Sequence, residues 1–309
     1  MTVRVALAAP ASHAEVPRWE DPRRALGRHG LVAKRSFSQN FLVARSIVEG
    51  IADAVGITPG APVVELGPGL GTLTAALLRR GASLLAIERD RDMIAVLKSD
   101  IAEASSPLRE GAALAPHASF LVEDGDATEV DLTQCRLRLS GADGPKLRVV
   151  GNLPYAVTGS IFRNLIAHRD ALECVVVMIQ REVRDRIVAQ PGTKEYGTLT
   201  VFLQASFRIE SVLKAPAGAF HPAPKVDSAV VRLIPRVNAI PETDALRTIV
   251  RSAFEQRRKT FRNGLVATIG AERADQILGA TQTDGRRRGE TLTLDEMHAL
   301  ALALGAITA

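Results

Sequence analysis

The stretch Val63–Thr74, "VVELGPGLGTLT", places a G-x-G-x-G pattern between a short apolar strand and a predicted helix. Glycines at such a junction let a ligand approach the backbone and leave helix N-terminal amides available to an anion. A tight packing turn and a dinucleotide site are also compatible with it. The pattern lacks the register of the G-x-G-x-x-G dinucleotide fingerprint and the Gly-Lys-Ser/Thr of a P-loop. It predicts an α/β fold with a ligand site beyond the strand.

Apolar strands alternate with helical segments around this stretch. Five short apolar runs predict buried strands: "APVVEL", "SLLAIE", "SFLVED", "KLRVVGN" and "ECVVVMIQ". Strands that alternate with helices in this way indicate a doubly wound, mostly parallel sheet. After Gly197 the segments "TLTVFLQASFRIESVL" and "DSAVVRLIP" have the pattern of strands without an intervening helix. We therefore expect the sheet to end in antiparallel strands.

The domain organisation follows from changes in composition along the chain. Residues 1–33 are rich in Ala, Pro and Arg and predict a flexible basic tail. Residues 34–238 predict the α/β domain, and residues 239–309 predict a small all-helical domain. The stretches 101–118 and 131–146 have the composition of loops or insertions.

The overall composition is that of a globular protein, since the 309-residue chain is 46% hydrophobic and 24% charged. No stretch reaches about 18 consecutive apolar residues, so we expect no transmembrane helix. The two cysteines, Cys135 and Cys174, are isolated, and the six histidines form no ligand motif. We therefore expect no metal site and a cytoplasmic location.

Positive charge is concentrated in three places. The chain carries a net charge of +5, and basic residues cluster in the N-terminal segment, in "EQRRKTFRN" at 255–263 and in "GRRRGE" at 285–290. Solvated surface charge is the simpler explanation of any single cluster, but three clusters in one chain favour a nucleic-acid partner. The residues predicted to bind it are Arg257, Arg258, Lys259 and Arg262.

Two carboxylates follow the next strands of the predicted sheet. Glu88 ends the second strand, twenty-one residues after Gly67, and Asp126 lies in "EDGDAT" after the third. A carboxylate at Glu88 can accept hydrogen bonds from both hydroxyls of a ribose, and one at Asp126 can accept from an adenine amino group. Helix capping is the alternative for each. Together with the glycine loop they predict a site for an adenosine-bearing ligand at the carboxyl ends of the strands.

The fourth strand ends in the element Asn152-Leu153-Pro154-Tyr155. Proline fixes the turn and restricts Leu153 to an extended conformation, which can aim its carbonyl outward beside the Asn152 amide. Two acceptors beside the flat face of Tyr155 suit a planar amine. Because Asn is neutral and is no general base, the element favours methylation of an exocyclic amine by positioning and electrostatics. An ordinary strand-end turn with a packed tyrosine is the alternative.

In this combination the sequence resembles the rRNA adenine N6,N6-dimethyltransferases, and among them the small-subunit (16S) rRNA dimethyladenosine transferase family (KsgA/RsmA). The motifs that carry the resemblance are "FSQNFL", "ELGPGLGTLT", "IERD", "GDAT", "GNLPY", "MIQREVRDRIVAQPGTKEYGTLTVFLQ", "FHPAPKVDSAVVRL", "FEQRRKTFRNGL" and "RRRGETLTLDE". It implies a Rossmann-like, S-adenosylmethionine-dependent methyltransferase domain followed by a helical domain. The implied reaction is dimethylation of two adjacent adenines in the 3′-terminal hairpin of small-subunit rRNA. We expect a monomer that acts on an assembly intermediate of the small ribosomal subunit.

The resemblance also carries roles onto matching positions. The residues that would bind S-adenosylmethionine are Asn40 and Leu42 above it, Gly67 and Gly69 at its methionine end, Glu88 at its ribose, Asp126 and Ala127 at its adenine, and Asn152. Asn152 would also touch the target amine, and Tyr155 and Phe220 would sandwich a flipped adenine. Two positions depart from the family pattern: Ser38 stands where Gly is common, and Ala156 where Asn often follows.

Three other functions are weighed against this one. An Erm-type resistance methyltransferase of large-subunit (23S) rRNA would share the cofactor site, but the helical tail and its basic motifs favour the small-subunit enzyme. A ribosome-assembly or RNA-binding factor without catalysis is disfavoured because all proposed cofactor and target residues are present. A nucleotide-dependent oxidoreductase is disfavoured by the glycine spacing and by the absence of a hydride-site His or Lys pair from the sequence.

Overall fold

The structure, a computed structural model, describes residues 19–37, 39–102, 118–256 and 258–308. The chain divides into two compact units. The first comprises Met1–Arg181 with Glu210–Pro235, and the second comprises Glu182–Ile209 with Arg236–Ala309.

The strands form one large sheet and one small ribbon. In chain order they are β1 (Phe41–Leu42), β2 (Pro62–Leu66), β3 (Ser83–Glu88), β4 (Ser119–Asp124), β5 (Leu147–Asn152), β6 (Leu172–Gln180), β7 (Phe207–Ala215), β8 (Phe220–His221) and β9 (Ser228–Pro235). The large sheet has the strand order β4-β3-β2-β5-β6-β9-β7, and β1 pairs with β8 in the ribbon.

Helices connect these strands and make up most of the second unit. In chain order they are α1 (Pro22–Arg28), α2 (Arg45–Val55), α3 (Thr72–Arg79), α4 (Arg91–Leu97), α5 (Leu132–Ser140), α6 (Thr158–Ala167), α7 (Arg181–Ile187), α8 (Thr198–Ser206), α9 (Asp244–Phe254), α10 (Phe261–Ile269), α11 (Ala271–Thr281) and α12 (Leu294–Thr308). Short 3₁₀ segments lie at Arg35–Phe37, Tyr155–Val157, Arg169–Ala171, Ala217–Ala219 and Gly289–Thr291, and a π-helical turn lies at Lys98–Ala102.

The sheet is mostly parallel, as the sequence predicts. Strands β2 to β6 pair in parallel, and every residue of β2 is buried. Such strands are continuously apolar because helices cover both faces of the sheet. Strand β9 runs antiparallel to β6, with Val231 opposite Val177, so the prediction of an antiparallel end is also confirmed.

The strand order reverses between β2 and β5, which are neighbours at the centre of the sheet. From β2 the chain proceeds to β3 and β4 on one side, and from β5 it proceeds to β6 on the other. The loops after β2 and β5 therefore diverge, and they leave a crevice at the carboxyl ends of these strands. This is the usual position of ligands in open α/β sheets.

Two helix boundaries of the first unit follow from local chemistry. Helix α2 ends at Gly56, which has the left-handed φ of 67° that glycine adopts without steric cost. Helix α4 begins after Asp90, whose carboxylate accepts the Asp92 backbone N–H at 3.1 Å. Such a cap satisfies one of the free N–H groups at the helix start.

The prediction of a flexible tail over residues 1–33 is wrong for its second half, and residues 1–18 lie outside the described part of the chain. Helix α1 begins after Asp21, whose carboxylate accepts the Arg23 N–H at 2.9 Å. Its residues Ala25 and Leu26 are buried in a small apolar cluster with residues of α4. Burial of these two side chains orders a segment whose composition predicts a tail.

The segment Thr198–Ser206, which has the pattern of a strand, is a helix. The Thr200 hydroxyl accepts the Gly197 N–H at 3.1 Å and donates to the Arg186 carbonyl at 2.7 Å. Val201 is buried in the apolar core of the second unit. This tertiary packing outweighs the strand preference of the β-branched and aromatic residues in "TLTVF".

The stretch 131–146, predicted to be a loop, contains helix α5. The Asp131 carboxylate caps it by accepting the Gln134 N–H at 2.9 Å, and Leu132 and Cys135 are buried. Most of the predicted insertion 101–118 lies outside the described residues.

The second unit has its own core and contains the predicted C-terminal helices α9 to α12. The predicted boundary after residue 238 lies close to the observed division at Pro235. The unit also includes residues 182–209, which the sequence assigns to the α/β domain. Tyr196 of this segment is buried in the same core as Phe261, so the apolar residues of α8 and of the loop before it belong to the helical unit.

Candidate active site

A cavity of about 230 Å³ lies within the first unit at the crevice described above. It is lined by the loop after β2, the ends of β3, β4 and β5, and the segment before β1. All the residues predicted to bind the cofactor line it: Asn40, Leu42, Gly67, Gly69, Glu88, Asp126, Ala127 and Asn152. Leu153, Pro154 and Tyr155 line it too. The structure thus brings the two predicted halves of the site into one cavity.

The glycine loop supplies free space at the floor of this cavity. Gly67 and Gly69 have φ angles of 69° and 57°, a region that favours glycine. A Cβ added to Gly67 would meet no protein atom within 4 Å. At Gly67 the loop therefore offers bare backbone and room to a ligand, whereas a Cβ at Gly69 would lie 3.1 Å from the Phe41 ring.

Glu88 is 8% exposed, and the main chain orients its carboxylate. Oε2 accepts the Gly69 N–H at 3.0 Å, and Oε1 accepts the Arg89 and Asp90 N–H groups at 2.8 and 2.9 Å. Burial raises the pKa of Glu88 above its ordinary value, although these three donors oppose the shift. Three of the roughly four lone-pair sites of the carboxylate are used in this way, which leaves one site, on Oε2, for a ribose hydroxyl.

Asp126 combines the role of a turn cap with a position on the cavity wall. Its Oδ1 accepts from the Thr128 N–H at 2.8 Å and the Thr128 hydroxyl at 2.7 Å, and its Oδ2 pairs with Arg89 at 3.0 Å. The Thr128 N–H bond is the main reason why the pKa of Asp126 lies below its usual range. Asp126 therefore stabilises a turn and does not cap a helix, and its carboxylate lies next to Ala127 at the cavity.

The Asn-Leu-Pro-Tyr element begins where β5 ends. The Leu153 N–H donates to the Met178 carbonyl at 3.1 Å, and the Leu153 side chain is buried. Pro154 has an extended ψ of 127°. Asn152 donates from Nδ2 to the Asn40 carbonyl at 3.0 Å. With Nδ2 bonded in this way, Oδ1 is the Asn152 atom that can accept from a target amine.

Tyr155 lines the cavity, and its hydroxyl is 2.8 Å from the Ser228 hydroxyl. Ser228 is buried at the start of β9. This bond fixes one end of the tyrosine ring while the ring itself remains partly exposed. Tyr155 is thus half-buried and lies at the cavity with its hydroxyl end held.

The prediction that Phe220 sandwiches a flipped adenine with Tyr155 requires an exposed ring, and the structure contradicts it. Its side chain is 4% exposed, lies in the main apolar core and is absent from the described cavity lining. Strand β8 pairs with β1 so that Phe220 lies opposite Leu42, and this pairing directs Phe220 into the core. Of the two departures from the family pattern, Ala156 is exposed at the cavity, and Ser38 lies outside the described residues.

Several residues that form the site are not among those predicted from the sequence. Gln39 and Phe37 line the cavity, and Lys34 and Gln39 bond to Asp90 next to Glu88. Their place in "KRSFSQNFL", beside Asn40, is the one signal that points to them. Neither their spacing nor their type indicates which residue they contact.

The predicted nucleic-acid-binding residues lie in the second unit, where Arg258 and Lys259 have exposed side chains. Arg262 forms a two-point ion pair with Asp275 at 2.6 and 2.7 Å, and Arg257 lies outside the described residues. The Phe261 and Arg262 N–H groups donate to the carbonyls of Arg287 and Gly285 at 2.7 and 2.9 Å. The clusters at 255–263 and 285–290 are therefore neighbours on the helical unit.

Over the described ranges, no helix has the length and apolar content needed to cross a membrane. The same part of the chain contains no group of three or more His, Cys, Asp and Glu side chains suited to a metal ion.

Comparisons with known proteins agree with this geometry. The family model of ribosomal RNA adenine dimethylase matches residues 30–302. The Ribosomal RNA small subunit methyltransferase A of Myxococcus xanthus is 41% identical, over 94% of this chain and 97% of its own.

Two solved structures share the fold. A dimethyladenosine transferase from Plasmodium falciparum has a TM-score of 0.71 at 23% identity, over 86% of this chain and 98% of its own. The 23S rRNA methyltransferase ErmE has a TM-score of 0.61 at 24% identity, over 86% and 100%. With the family model covering nearly the whole described chain and a relative above 40% identity, the protein belongs to the ribosomal RNA adenine dimethylase family.

Proposed function

We propose that this protein uses S-adenosylmethionine to dimethylate the N6 amines of two adjacent adenines in the 3′-terminal hairpin of 16S rRNA, in an assembly intermediate of the small subunit. One observation carries the proposal: the residues suited to adenosine and the Asn-Leu-Pro-Tyr element line the same cavity. The similarity to a relative named for the small ribosomal subunit, over almost its full length, supports the choice of rRNA.

Catalysis at this site rests on positioning. When bound, S-adenosylmethionine supplies an electrophilic methyl group on a sulfonium centre. Asn152 Oδ1 and the Leu153 carbonyl accept the two N6 hydrogens of the adenine, which directs the nitrogen lone pair toward that methyl group. Asn152 is neutral, so the proton that the methylated amine loses goes to water.

Tyr155 provides the face on which the flipped adenine stacks. Base–aromatic stacking contributes about 1–3 kcal/mol per base, which helps to offset the cost of removing the adenine from its helix. The Ser228 hydroxyl holds the phenol end of Tyr155, and this support keeps the ring in one orientation. Phe220 is buried and therefore takes no part in this stacking.

RNA binding is assigned to the basic surface of the helical unit. Arg258 and Lys259 are its exposed members in the first cluster, and Arg288 is exposed in the neighbouring second cluster. Arg286 is exposed too, but it pairs with Asp284 at 3.0 Å. Arg262 contributes less because Asp275 already neutralises it. These side chains would contact phosphates and would make binding dependent on salt concentration.

The alternatives differ in the RNA that is modified or in the absence of modification. An Erm-type enzyme would methylate 23S rRNA, and an assembly factor without catalysis would bind small subunits and leave them unmethylated. Similarity to ErmE is limited to the fold at this level of identity, whereas the small-subunit relative matches in sequence. We further propose that the enzyme acts in the cytoplasm as a monomer.

The decisive experiment maps the methylated nucleotide. Purified protein, labelled S-adenosylmethionine and immature small subunits that lack the mark should give two dimethylated adenines in the 3′-terminal hairpin of 16S rRNA. Large subunits tested in parallel should stay unlabelled. Labelling of 23S rRNA would favour the Erm-type activity, and tight binding without labelling would favour the assembly factor.

A further inference from the structure

A chain of hydrogen bonds leads from the proposed ribose acceptor to the proposed target-amine acceptor. It starts at Glu88, whose Oε1 accepts the Asp90 N–H at 2.9 Å. It continues through the Asp90 carboxylate to Gln39 and ends where Asn40 accepts from Asn152. All five residues lie in the first unit, and all but Asp90 line the cavity.

Asp90 is the anchor of this chain. It is 2% exposed; its Oδ1 accepts Lys34 Nζ at 2.6 Å, and its Oδ2 accepts Gln39 Nε2 at 2.7 Å. Burial alone would raise the pKa of Asp90, but the bonds from Lys34, the Asp92 N–H and Gln39 outweigh it and hold the pKa below its usual range. Asp90 is therefore an ionised acceptor with a separate partner for each oxygen.

Gln39 is held at both ends of its amide. Its Nε2 donates to Asp90, and its Oε1 accepts the Lys34 N–H at 2.9 Å. The amide can satisfy both bonds in one orientation only. The Gln39 N–H also donates to the Lys34 carbonyl at 3.3 Å. The next residue in the chain is Asn40, so these attachments of Gln39 together restrict the position of the Asn40 carbonyl.

The Asn40 carbonyl selects one of the two orientations of the Asn152 amide. A carbonyl accepts only from Nδ2, so the bond of 3.0 Å places Oδ1 on the opposite side of the amide. A reversed amide would set oxygen against oxygen at Asn40 and would offer N–H donors to an amine whose hydrogens need acceptors. Methylation therefore requires the orientation that Asn40 imposes.

We propose that Gln39 is a positioning residue for methyl transfer: its bond to Asp90 holds the Asn40 carbonyl against Asn152, so that Asn152 presents Oδ1 to the target amine. The assignment rests on the proposed function of Asn152. Gln39 also links the two halves of the cavity, because its partner Asp90 lies two residues after Glu88 and donates its N–H to the Glu88 carboxylate.

A reciprocal exchange of donor and acceptor tests this role. In Gln39→Glu the near-isosteric carboxylate keeps the acceptor for the Lys34 N–H but faces Asp90 Oδ2 without a donor. At saturating cofactor and small subunit, we expect kcat to fall about tenfold to a hundredfold.

In the double variant Gln39→Glu/Asp90→Asn, the new Asn amide donates to the new carboxylate, while its oxygen still accepts from Lys34 and the Asp92 N–H. We expect kcat to return to within about threefold of the wild-type value.

Three measurements separate this role from others. Affinity for S-adenosylhomocysteine, measured by calorimetry, reports cofactor retention; a defect confined to this affinity and absent from kcat would overturn the proposal. The midpoint of thermal unfolding should stay above the assay temperature in every variant, although we expect it to be lower in Gln39→Glu, where two carboxylates face each other, than in the double variant. The proposal would also be overturned if Gln39→Glu had the wild-type kcat, or if the double variant were as impaired as Gln39→Glu.

Asn152→Ala in the same assay distinguishes the two levels of inference. If Asn152→Ala is inactive and Gln39→Glu has the wild-type kcat, only the role of Gln39 is wrong. If Asn152→Ala retains activity, the proposed function of Asn152 fails first. The pattern that supports both is an inactive Asn152→Ala, an impaired Gln39→Glu and a rescued double variant.

Discussion

Charged groups are organised in opposite ways at the sheet edge of the first unit and on the basic surface of the second. At the sheet edge, Glu88 is 8% exposed and takes three main-chain N–H groups. On the basic surface, Arg258 and Lys259 are exposed side chains just before α10. In the first region, main-chain N–H groups fix the orientation of the carboxylate. In the second region, the side chains provide positive charge but are not held in one orientation by the main chain. Single substitutions and pH should therefore affect the first region, and salt the second.

The largest expected effect is at the target-amine acceptor. Asn152→Ala removes Oδ1 and leaves the adenine amine without one of its two acceptors, so we expect turnover to fall about a thousandfold. Methyl incorporation under saturating conditions measures this. Asn164→Ala is the matched control, because Asn164 bonds to the Val130 carbonyl and is absent from the described cavity lining. Equal activity of the two variants would contradict the acceptor role.

The next effect is on stability and depends on pH. Burial raises the pKa of Glu65 to about 8 from an ordinary 4.5, and its partner is the Thr74 hydroxyl at 2.6 Å. Between these values the folded protein keeps the proton and the unfolded chain loses it, so stability falls as pH rises. Glu65→Gln keeps an acceptor for Thr74 and cannot titrate. Between pH 5 and 7 its free energy of unfolding should therefore fall by about 2 kcal/mol less than that of the wild-type protein. Urea unfolding at both pH values tests this; an unchanged pH dependence would contradict it.

A smaller effect is expected on cofactor affinity. Glu88→Gln places an amide N–H against a main-chain donor and removes one acceptor for the ribose, so affinity for S-adenosylhomocysteine should fall about tenfold. Calorimetry measures the dissociation constant. Asp124→Asn, at the exposed end of the neighbouring strand, should bind the cofactor normally. A normal dissociation constant for Glu88→Gln would place the ribose elsewhere.

The smallest effect per residue is expected on the basic surface. Replacing Arg258 and Lys259 by Ala should weaken RNA binding a few-fold and lower the slope of log affinity against log salt by about two. Arg262→Ala should change the slope less, because Asp275 already pairs with Arg262. Filter binding of the 3′-terminal hairpin over a range of salt concentrations compares these variants. If the slope stays unchanged in the double variant, the cluster is solvated surface charge.

The two regions also differ in how far the sequence predicts them. The glycine loop, Glu88, Asp126 and Asn152 are correctly brought together because short motifs at the ends of parallel strands must meet at one edge of the sheet. Phe220 is misplaced because a motif does not reveal on which side of a two-stranded ribbon its ring lies. Thr198–Ser206 is misassigned because its β-branched residues resemble a strand until the core that buries them is known.

What the sequence by itself determines is the local chemistry: left-handed glycines after β2, a capping Asp90 before α4, a rigid proline after β5 and two clusters of basic residues. These features depend on bonds within a few residues, so they can be read along the chain. Tertiary structure decides which partner each polar group finds. Asn40 and Asn152 are 112 positions apart, and Lys34 and Asp90 are 56 apart. Packing of the sheet and the segment before β1 creates these contacts, and with them the orientation of the amide that the proposed reaction needs.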